Sequence, residues 1–141
     1  MAQYPAACRR WSTRTVELLN KRPRVLVIDD YGDSADALAA LLTYEGMEAR
    51  VAKGCDEALA CVHVWVPDLV IVDIKLVGRD GFATAKALRD YLPTENLGIV
   101  AYTSFDESNV LKMSDNPQVL DGYCRKGNPG ALLDLIAEIW K

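Results

Sequence analysis

Five residues stand where apolar segments of the sequence turn polar, and their types could act together. Asp29 and Asp30 end the run VLVIDD, and Asp73 follows the run LVIV. Thr103 ends LGIVAYT, and Lys126 ends GYCRK. If these runs are parallel strands, their carboxyl ends meet at one edge of a sheet, which is where open α/β sheets bind ligands. We therefore expect the five side chains to share one crevice.

The chemistry of this set points to phosphate. Three carboxylates in one crevice repel one another, so a cation is needed to keep them ionised. Mg²⁺ is the expected ion because it binds carboxylate oxygens and leaves positions for phosphate oxygens. Lys126 and the Thr103 hydroxyl would offset charge on a phosphoryl group, and Asp73 would be the nucleophile of an aspartyl phosphate. Each residue also has a structural interpretation, as a turn residue, a cap or a solvated edge charge, but their convergence favours a site.

The elements that must position these residues alternate along the chain. Apolar or alternating runs predict five strands, and helical spacing of apolar residues predicts a helix after each. Parallel neighbours need crossover connections, so the pattern predicts a doubly wound, flavodoxin-like parallel sheet of order 2-1-3-4-5 with five helices. The second and fifth strands are expected at the edges. The predicted strands lie at 25–30, 47–53, 69–72, 97–104 and 122–126.

Length and composition fit one domain, since the chain has 141 residues, of which 50% are hydrophobic and 26% charged. No apolar run reaches the ~20 residues of a membrane span, and no secretory signal is recognisable, so we expect a cytoplasmic protein. The cysteines show neither C-x-x-C spacing nor a set of histidine partners, which favours buried or idle thiols over a zinc site or a disulfide framework. They are Cys8, Cys55, Cys61 and Cys124.

Residues 1–23 differ from the rest of the chain in charge. Residues 1–24 contain six Lys or Arg and one Glu, whereas the remainder is acidic. We expect 1–23 to be a flexible or loosely docked basic extension, with Val16, Leu18 and Leu19 in a marginal helix, and 24–141 to be the folded domain. The acidic body does not suggest nucleic-acid binding, although the extension could contact an acidic partner or a membrane surface.

Taken together, these motifs resemble the receiver domains of two-component response regulators, in particular the stand-alone, chemotaxis-regulator type. VLVIDD is similar to the family's acidic pair, PDLVIVDIKLVGRDG to its phosphoacceptor segment, IVAYTS to its switch hydroxyl and GYCRK to its lysine strand. The resemblance covers 24–141. It implies that Asp73 is phosphorylated, that Asp30 binds Mg²⁺ directly and Asp29 through water, and that the backbone carbonyl of Lys75 completes the protein ligands.

The resemblance also implies a switch and partners. Thr103 would move toward the phosphoryl group, and Tyr123 would change rotamer with it, altering the surface of the fourth helix, fifth strand and fifth helix. Tyr123 could equally be a half-buried edge-strand aromatic residue. The implied donor is a histidine kinase or histidine phosphotransfer protein, and the implied output is a downstream protein partner at that surface. A homodimer also fits. Catalysis is expected only of the domain's own phosphorylation and dephosphorylation.

The sequence departs from the family at several positions. Leu76-Val77 stands where the family usually has Met-Pro. Gly127 follows Lys126 where the family usually has proline in a cis peptide. The Lys126–Gly127 peptide bond is therefore either an unusual cis bond that glycine tolerates or a trans bond. Lys75 and Phe105 occupy positions that line the entrance to the phosphoryl group in the family. We hypothesise that this basic and bulky pair keeps out attacking water and prolongs the phosphorylated state.

Three other functions compete with a phosphorylated receiver. A degenerate receiver would be an unphosphorylated interaction module, which the retained acidic residues argue against. A phosphatase using an aspartyl phosphate needs an acid where Lys75 stands. Nucleotide or flavin binding lacks a glycine-rich loop after the first strand. We further expect no membrane span and no direct DNA binding, because Lys141 leaves no room for a helix-turn-helix unit.

Overall fold

The computed structural model describes residues 7–18 and 20–140. It has six strands, β1 Cys8–Arg10, β2 Arg24–Ile28, β3 Glu48–Ala52, β4 Leu69–Val72, β5 Gly98–Thr103 and β6 Gly122–Arg125. Five α-helices alternate with them, α1 Gly32–Tyr44, α2 Cys55–Val64, α3 Gly81–Asp90, α4 Glu107–Lys112 and α5 Pro129–Ile139. Single 3-10 turns lie at Leu92–Thr94 and Pro117–Val119. Over the described ranges, no helix has the length and apolar character of a membrane span.

The six strands form one sheet in the order β1-β6-β5-β4-β2-β3. Strands β2 to β6 are parallel, which confirms the predicted order 2-1-3-4-5 for the five strands of the domain. β1 is an additional strand and pairs antiparallel with β6. The last predicted strand is therefore covered by β1 and is not an edge of the sheet.

The sheet has a hydrophobic core on each face, as expected of buried strands in a doubly wound fold. Successive residues of β4 point to opposite faces, so Val70 and Val72 pack in one core while Leu69 and Ile71 pack in the other. Helices α2, α3 and α4 contribute to the first core, and α1 and α5 to the second. The central strands are therefore covered on both faces.

Short polar side chains begin three of the helices. Asp80 accepts a hydrogen bond from the amide of Ala83 at the start of α3, at 2.8 Å. Asp106 caps α4, and Asn128 caps α5 ahead of Pro129. By contrast, α1 begins at Gly32, and its N-cap residue Tyr31 makes no side-chain cap bond.

The amino-terminal segment differs from the expectation of a flexible or loosely docked extension. Cys8–Arg10 forms β1, and Cys8 is joined to Cys124 of β6 by a disulfide. The expectation of four idle thiols is therefore wrong for this pair, although Cys55 and Cys61 are free. Val16 forms a β-bridge with Trp140 instead of a helix turn. Leu19 of the predicted helix lies outside the described residues.

Candidate functional site

Adjacent strands bring two of the predicted aspartates together. Ile28 of β2 is opposite Val72 of β4, so Asp29 and Asp73 leave the sheet side by side. The amide of Asp73 donates to the carbonyl of Ile28 at 2.9 Å, which continues the β2–β4 pairing up to the aspartate. Asp29 is buried and Asp73 is partly buried. The expectation that buried strands end in carboxylates at one edge is met by these two residues.

Lys126 connects these two carboxylates. Its Nζ donates to Asp29 Oδ2 and to Asp73 Oδ2, each at 2.8 Å. Burial lowers the pKa of the lysine, but its hydrogen bonds and attraction to Asp29 and Asp73 outweigh this effect, so its pKa lies above the ordinary value of 10.5. One ammonium thus serves two carboxylates, and the pair forms a locus that binds positive charge.

Asp30 contacts the loop after β4 in the structure. Its side chain is exposed, and its Oδ2 accepts from the amide of Val77 in the loop after β4, at 3.1 Å. Accordingly, the described residues contain no group of three acidic, histidine or cysteine side chains arranged to hold a metal ion. The donors still suit Mg²⁺, because Asp29 and Asp73 already converge on a cation and present hard carboxylate oxygens.

The loop after β4 is packed tightly against Asp73. The Lys75 amide donates to Asp73 Oδ1 at 3.2 Å. A Cβ added at Gly81 would lie 2.5 Å from the carbonyl oxygen of Asp73, so only glycine fits there without movement of the backbone. In the Leu76-Val77 pair, Leu76 is buried and Val77 is 86% exposed. The first of these residues therefore anchors the loop, and the second presents an apolar side chain beside the site.

The backbone after Lys126 adopts a conformation that favours glycine. No peptide bond in 7–18 or 20–140 is cis, so the Lys126–Gly127 bond is trans. Gly127 has φ of 109°, in the left-handed region. The Lys126 amide donates to the carbonyl of Thr103 at 2.8 Å, which ties the end of β6 to that of β5. The lysine thus reaches both carboxylates without the proline that the family usually has.

Thr103 and Tyr123 are connected through Phe105. Thr103 is fully buried, and its Oγ1 accepts from the Phe105 amide at 3.5 Å. Tyr123 is 2% exposed, and its hydroxyl donates to the Phe105 carbonyl at 2.5 Å. Burial raises the pKa of the Tyr123 phenol above its usual value. The Phe105 side chain packs partly buried against the core, and Trp11 stacks on Tyr123 with ring centroids 6.0 Å apart.

Two residues around this site are outside the predicted set. Trp11 belongs to the segment 1–23, which is expected to be a loose extension, and Asp121 immediately precedes the last predicted strand. Asp121 is 1% exposed and pairs with Arg89 and Arg14 at 2.8 and 3.0 Å. An acid next to the glycine that begins a buried strand could have indicated Asp121, whereas the position of Trp11 depends on a partner more than a hundred residues away.

The family of the chain follows from a comparison of its sequence with protein-family models. The model described as "Response regulator receiver domain" matches residues 25–124. The chain belongs to this family. Receiver domains are phosphoacceptor modules of two-component signalling, and the predicted family resemblance is therefore confirmed.

Relatives of this receiver domain include much longer proteins. The chain is 34% identical over 83 residues to the response regulator PleD of Caulobacter vibrioides, which covers 59% of the chain and 18% of PleD. It is 37% identical over 68 residues to the DNA-binding response regulator MtrA of Mycobacterium tuberculosis, covering 48% of the chain and 30% of MtrA. The chain thus spans less than a third of the length of these curated relatives.

Solved structures resemble the whole receiver fold. The response regulator TrrA of Thermotoga maritima, in complex with Mg²⁺-BeF, superposes with a TM-score of 0.73 at 26% identity, covering 83% of this chain and 98% of TrrA. The chemotaxis response regulator CheY4 of Vibrio cholerae has a TM-score of 0.76 at 24% identity, covering 84% and 99%, and shows the fold alone. The predicted flavodoxin-like class is confirmed.

Proposed function

We propose that this receiver domain accepts a phosphoryl group on Asp73 from a histidine kinase or a histidine phosphotransfer protein. The observation that carries the proposal is the position of the Lys126 Nζ, 2.8 Å from both Asp73 and Asp29. A nucleophilic carboxylate beside a fixed ammonium and a second carboxylate is the arrangement expected for aspartyl phosphate chemistry in a receiver.

The transfer uses side chains at the carboxyl edge of the sheet. A carboxylate oxygen of Asp73 forms a bond to phosphorus while the bond from phosphorus to the donor imidazole breaks, and the imidazole nitrogen leaves with the electron pair. Lys126 donates to the oxygens on which negative charge accumulates. The Thr103 hydroxyl, buried at the end of β5, donates to another phosphoryl oxygen after a small shift.

The domain's magnesium ligands are proposed to be Asp29, Asp30, Asp73 and the backbone carbonyl of Lys75. Bound Mg²⁺ would neutralise the carboxylates and the phosphoryl oxygens together. To bind the ion, Asp30 must give up the hydrogen bond that it accepts from the Val77 amide. The Mg²⁺-BeF complex of TrrA supports the proposal by family likeness.

The signal leaves the domain as a change in protein contacts. Thr103, Phe105 and Tyr123 form a linked set, so movement of Thr103 changes the position that Tyr123 prefers. Tyr123 lies on β6, and the affected surface is the one shared by α4, β6 and α5. We propose a protein, and not DNA, as the direct partner of this surface.

The proposal is tested by incubating the chain with Mg²⁺ and acetyl phosphate and measuring its intact mass. We expect a single added phosphoryl group that is lost in Asp73→Asn. Asp33→Asn is the matched control, because Asp33 is an exposed aspartate in the first turn of α1 and should leave the modification unchanged. A wild-type chain that gains no mass would contradict phosphorylation at Asp73.

A degenerate receiver that acts without phosphorylation is the second candidate. The observation in its favour is that Lys126 already neutralises the carboxylate pair while Asp30 is bonded elsewhere. Isothermal titration calorimetry with beryllofluoride in the presence of Mg²⁺ distinguishes the two functions. Binding that Asp73→Asn removes supports the phosphoacceptor, and failure to bind at millimolar concentrations supports the degenerate module.

A further inference from the structure

Residues 7–11, which we name the latch, extend along β6 at the end of the sheet. Cys8 is opposite Cys124 in the antiparallel register. The Arg125 amide donates to the carbonyl of Ala7 at 2.8 Å. The latch thereby covers the backbone groups of β6, which would otherwise form an unpaired strand edge.

On one side, the latch contacts α4 and the aromatic residue of β6. Arg9 and Trp11 point to this side, as alternate residues of a strand do. The Arg9 Nε and the Trp11 Nε1 donate to the two carboxylate oxygens of Glu107 in α4, at 2.9 and 2.7 Å. Trp11 also stacks on Tyr123, with the ring planes 9° apart. The latch therefore occupies the α4–β6 part of the proposed output surface.

On the other side, the latch contacts α5. Cys8 is bonded to the fully buried Cys124, and Arg10 donates to the carbonyl of Glu138 at 3.2 Å. A hollow of about 280 Å³ lies between this part of the latch and α5, and Cys8 and Asp134 are among the residues that line it. Cys8 itself is partly exposed, so a small thiol can approach the disulfide from its side.

The next segment, residues 12–16, is attached to the domain independently of the disulfide. Ser12 Oγ and Arg14 Nε donate to Asp121 Oδ1 at 2.7 and 3.0 Å. The Val16 amide donates to the carbonyl of Ile139 at 2.8 Å. The Asp121 contacts are at the far end of β6 from Cys124, and the Val16 contact is with the end of α5, so both can persist when the latch leaves.

We propose that the latch is a redox-controlled cover of the α4–β6–α5 surface. The disulfide between Cys8 and Cys124 keeps it closed, and reduction allows it to open about residues 12–16. A small dithiol breaks the sulfur–sulfur bond and is itself oxidised to a disulfide, leaving two protein thiols. A small disulfide such as oxidised glutathione reverses this, and becomes two thiols. In a reducing compartment, disulfides are usually transient and catalytic or redox-sensing.

The effect of the latch on signalling rests on the proposed function. Because Trp11 stacks on Tyr123, any new position of Tyr123 changes the contacts of the latch. Linkage is reciprocal, so a closed latch that prefers the present Tyr123 position also opposes the phosphorylated state. At equal phosphorylation, the oxidised domain is therefore expected to signal more weakly through this surface than the reduced domain.

Amide hydrogen exchange tests the latch without phosphorylation. The full chain is compared after treatment with oxidised glutathione and with dithiothreitol. We expect exchange at the amide of Arg125, which is bonded to Ala7 of the latch, to be about 10-fold faster or more in the reduced chain, since opening is no longer opposed by a covalent bond. The Val16 amide is the internal control and should change little. Equal protection of Arg125 in both forms would overturn the proposal.

Two cysteine variants identify the bond responsible. Cys8→Ser should show fast exchange at Arg125 under both conditions. Cys61→Ser removes a free cysteine of α2 and should respond to oxidation and reduction as the wild type does. A redox response that survives in Cys8→Ser would assign the effect to another residue and overturn the latch.

A third measurement separates the latch from the proposed function. Beryllofluoride with Mg²⁺ is added to the reduced chain, and we expect exchange at Arg125 to rise further. If oxidation and reduction change this exchange but beryllofluoride does not, the redox-controlled latch is supported and its coupling to phosphorylation is overturned. If neither treatment changes exchange at Arg125, the redox-controlled latch and its coupling to phosphorylation are both overturned.

Discussion

Two carboxylate clusters at opposite ends of the sheet differ in their charge balance. At the carboxyl edge, Asp29 and Asp73 share the single ammonium of Lys126, and Asp30 is close by along the chain. At the amino edge, Asp121 receives the guanidinium groups of Arg89 and Arg14. The first cluster therefore carries net negative charge, and the second carries net positive charge.

This difference in charge balance distinguishes the candidate functional site from a cluster that stabilises the fold. Asp121 also accepts from the amide of Ile99 and the hydroxyl of Ser12, so both of its carboxylate oxygens are hydrogen-bonded within the folded domain. A buried carboxylate with such partners specifies one arrangement of β5, β6 and the segment 12–16. The excess negative charge at the carboxyl edge instead favours binding of a further cation and admits a change of charge at Asp73.

The largest expected effect is loss of stability in Asp121→Asn. The amide cannot pair with both arginines, and the mostly buried Arg89 would lose its counter-charge, at a cost of about 3 kcal/mol in the free energy of unfolding. Urea denaturation of the wild type and variant measures this cost. Asp73→Asn is the comparison variant and should change stability by less than about 1 kcal/mol, because it relieves crowding of negative charge. Similar losses in both variants would remove the distinction between the two clusters.

The next effect is expected in Gly81→Ala, which bears on the carboxyl edge alone. The added Cβ would force the Asp73 carbonyl or the start of α3 to move, at a cost of about 1–3 kcal/mol. We expect phosphorylation by acetyl phosphate to slow by about 10-fold, since misplacement of a nucleophile by a fraction of an ångström is costly.

Gly54→Ala provides the control for this substitution. A Cβ at Gly54 meets nothing within 4 Å, and its φ of −174° is extended backbone that any residue adopts. Equal rates of phosphorylation in Gly81→Ala and Gly54→Ala would show that the close contact at Asp73 does not position the nucleophile.

The carboxyl-edge pair was predictable from the sequence because it depends on local pattern and topology. An apolar run that ends in aspartate predicts both a buried strand and the place where it leaves the sheet, as for Asp29 and Asp73. The contact with Lys126 then follows from strand order. Asp30 shows the limit of this reasoning, because its hydrogen bond to the Val77 amide depends on the path of a loop that no periodicity describes.

The amino-edge cluster and the latch were not predictable in the same way. Arg9 and Trp11 carry no apolar alternation long enough to mark a strand, and β1 has only three residues. The contacts of this segment are a disulfide to Cys124 and hydrogen bonds to Glu107, and both partners belong to distant parts of the chain. Local propensity cannot describe a segment whose stability comes from such partners.

A smaller effect is expected from the pH dependence of the Lys126 interaction. Its folded-state pKa lies above the ordinary 10.5, so its contribution to stability is fully present below the unfolded pKa and is lost as pH rises through the folded value. We expect the stability difference between the wild type and Lys126→Met to shrink above pH ~10. Urea denaturation from pH ~8 upward measures it, with Lys86→Met as the exposed control. A difference independent of pH would contradict the assigned interaction.

The smallest effect is expected at Lys75, whose exposed side chain borders the carboxyl-edge pair while its amide bonds Asp73. If the lysine and Phe105 keep attacking water from the phosphoryl group, Lys75→Asn should dephosphorylate about 3-fold faster, which corresponds to less than 1 kcal/mol in the barrier. Adding Phe105→Glu should increase the rate again, but Phe105 packs against the core, so the stability of that double variant must be measured alongside. The decay of the phosphorylated mass after removal of acetyl phosphate gives the rates. Lys112→Asn, at the exposed end of α4, is the charge-matched control, and a Lys75→Asn rate equal to it would show that the phosphoryl lifetime is set by the buried residues of the site and not by its rim.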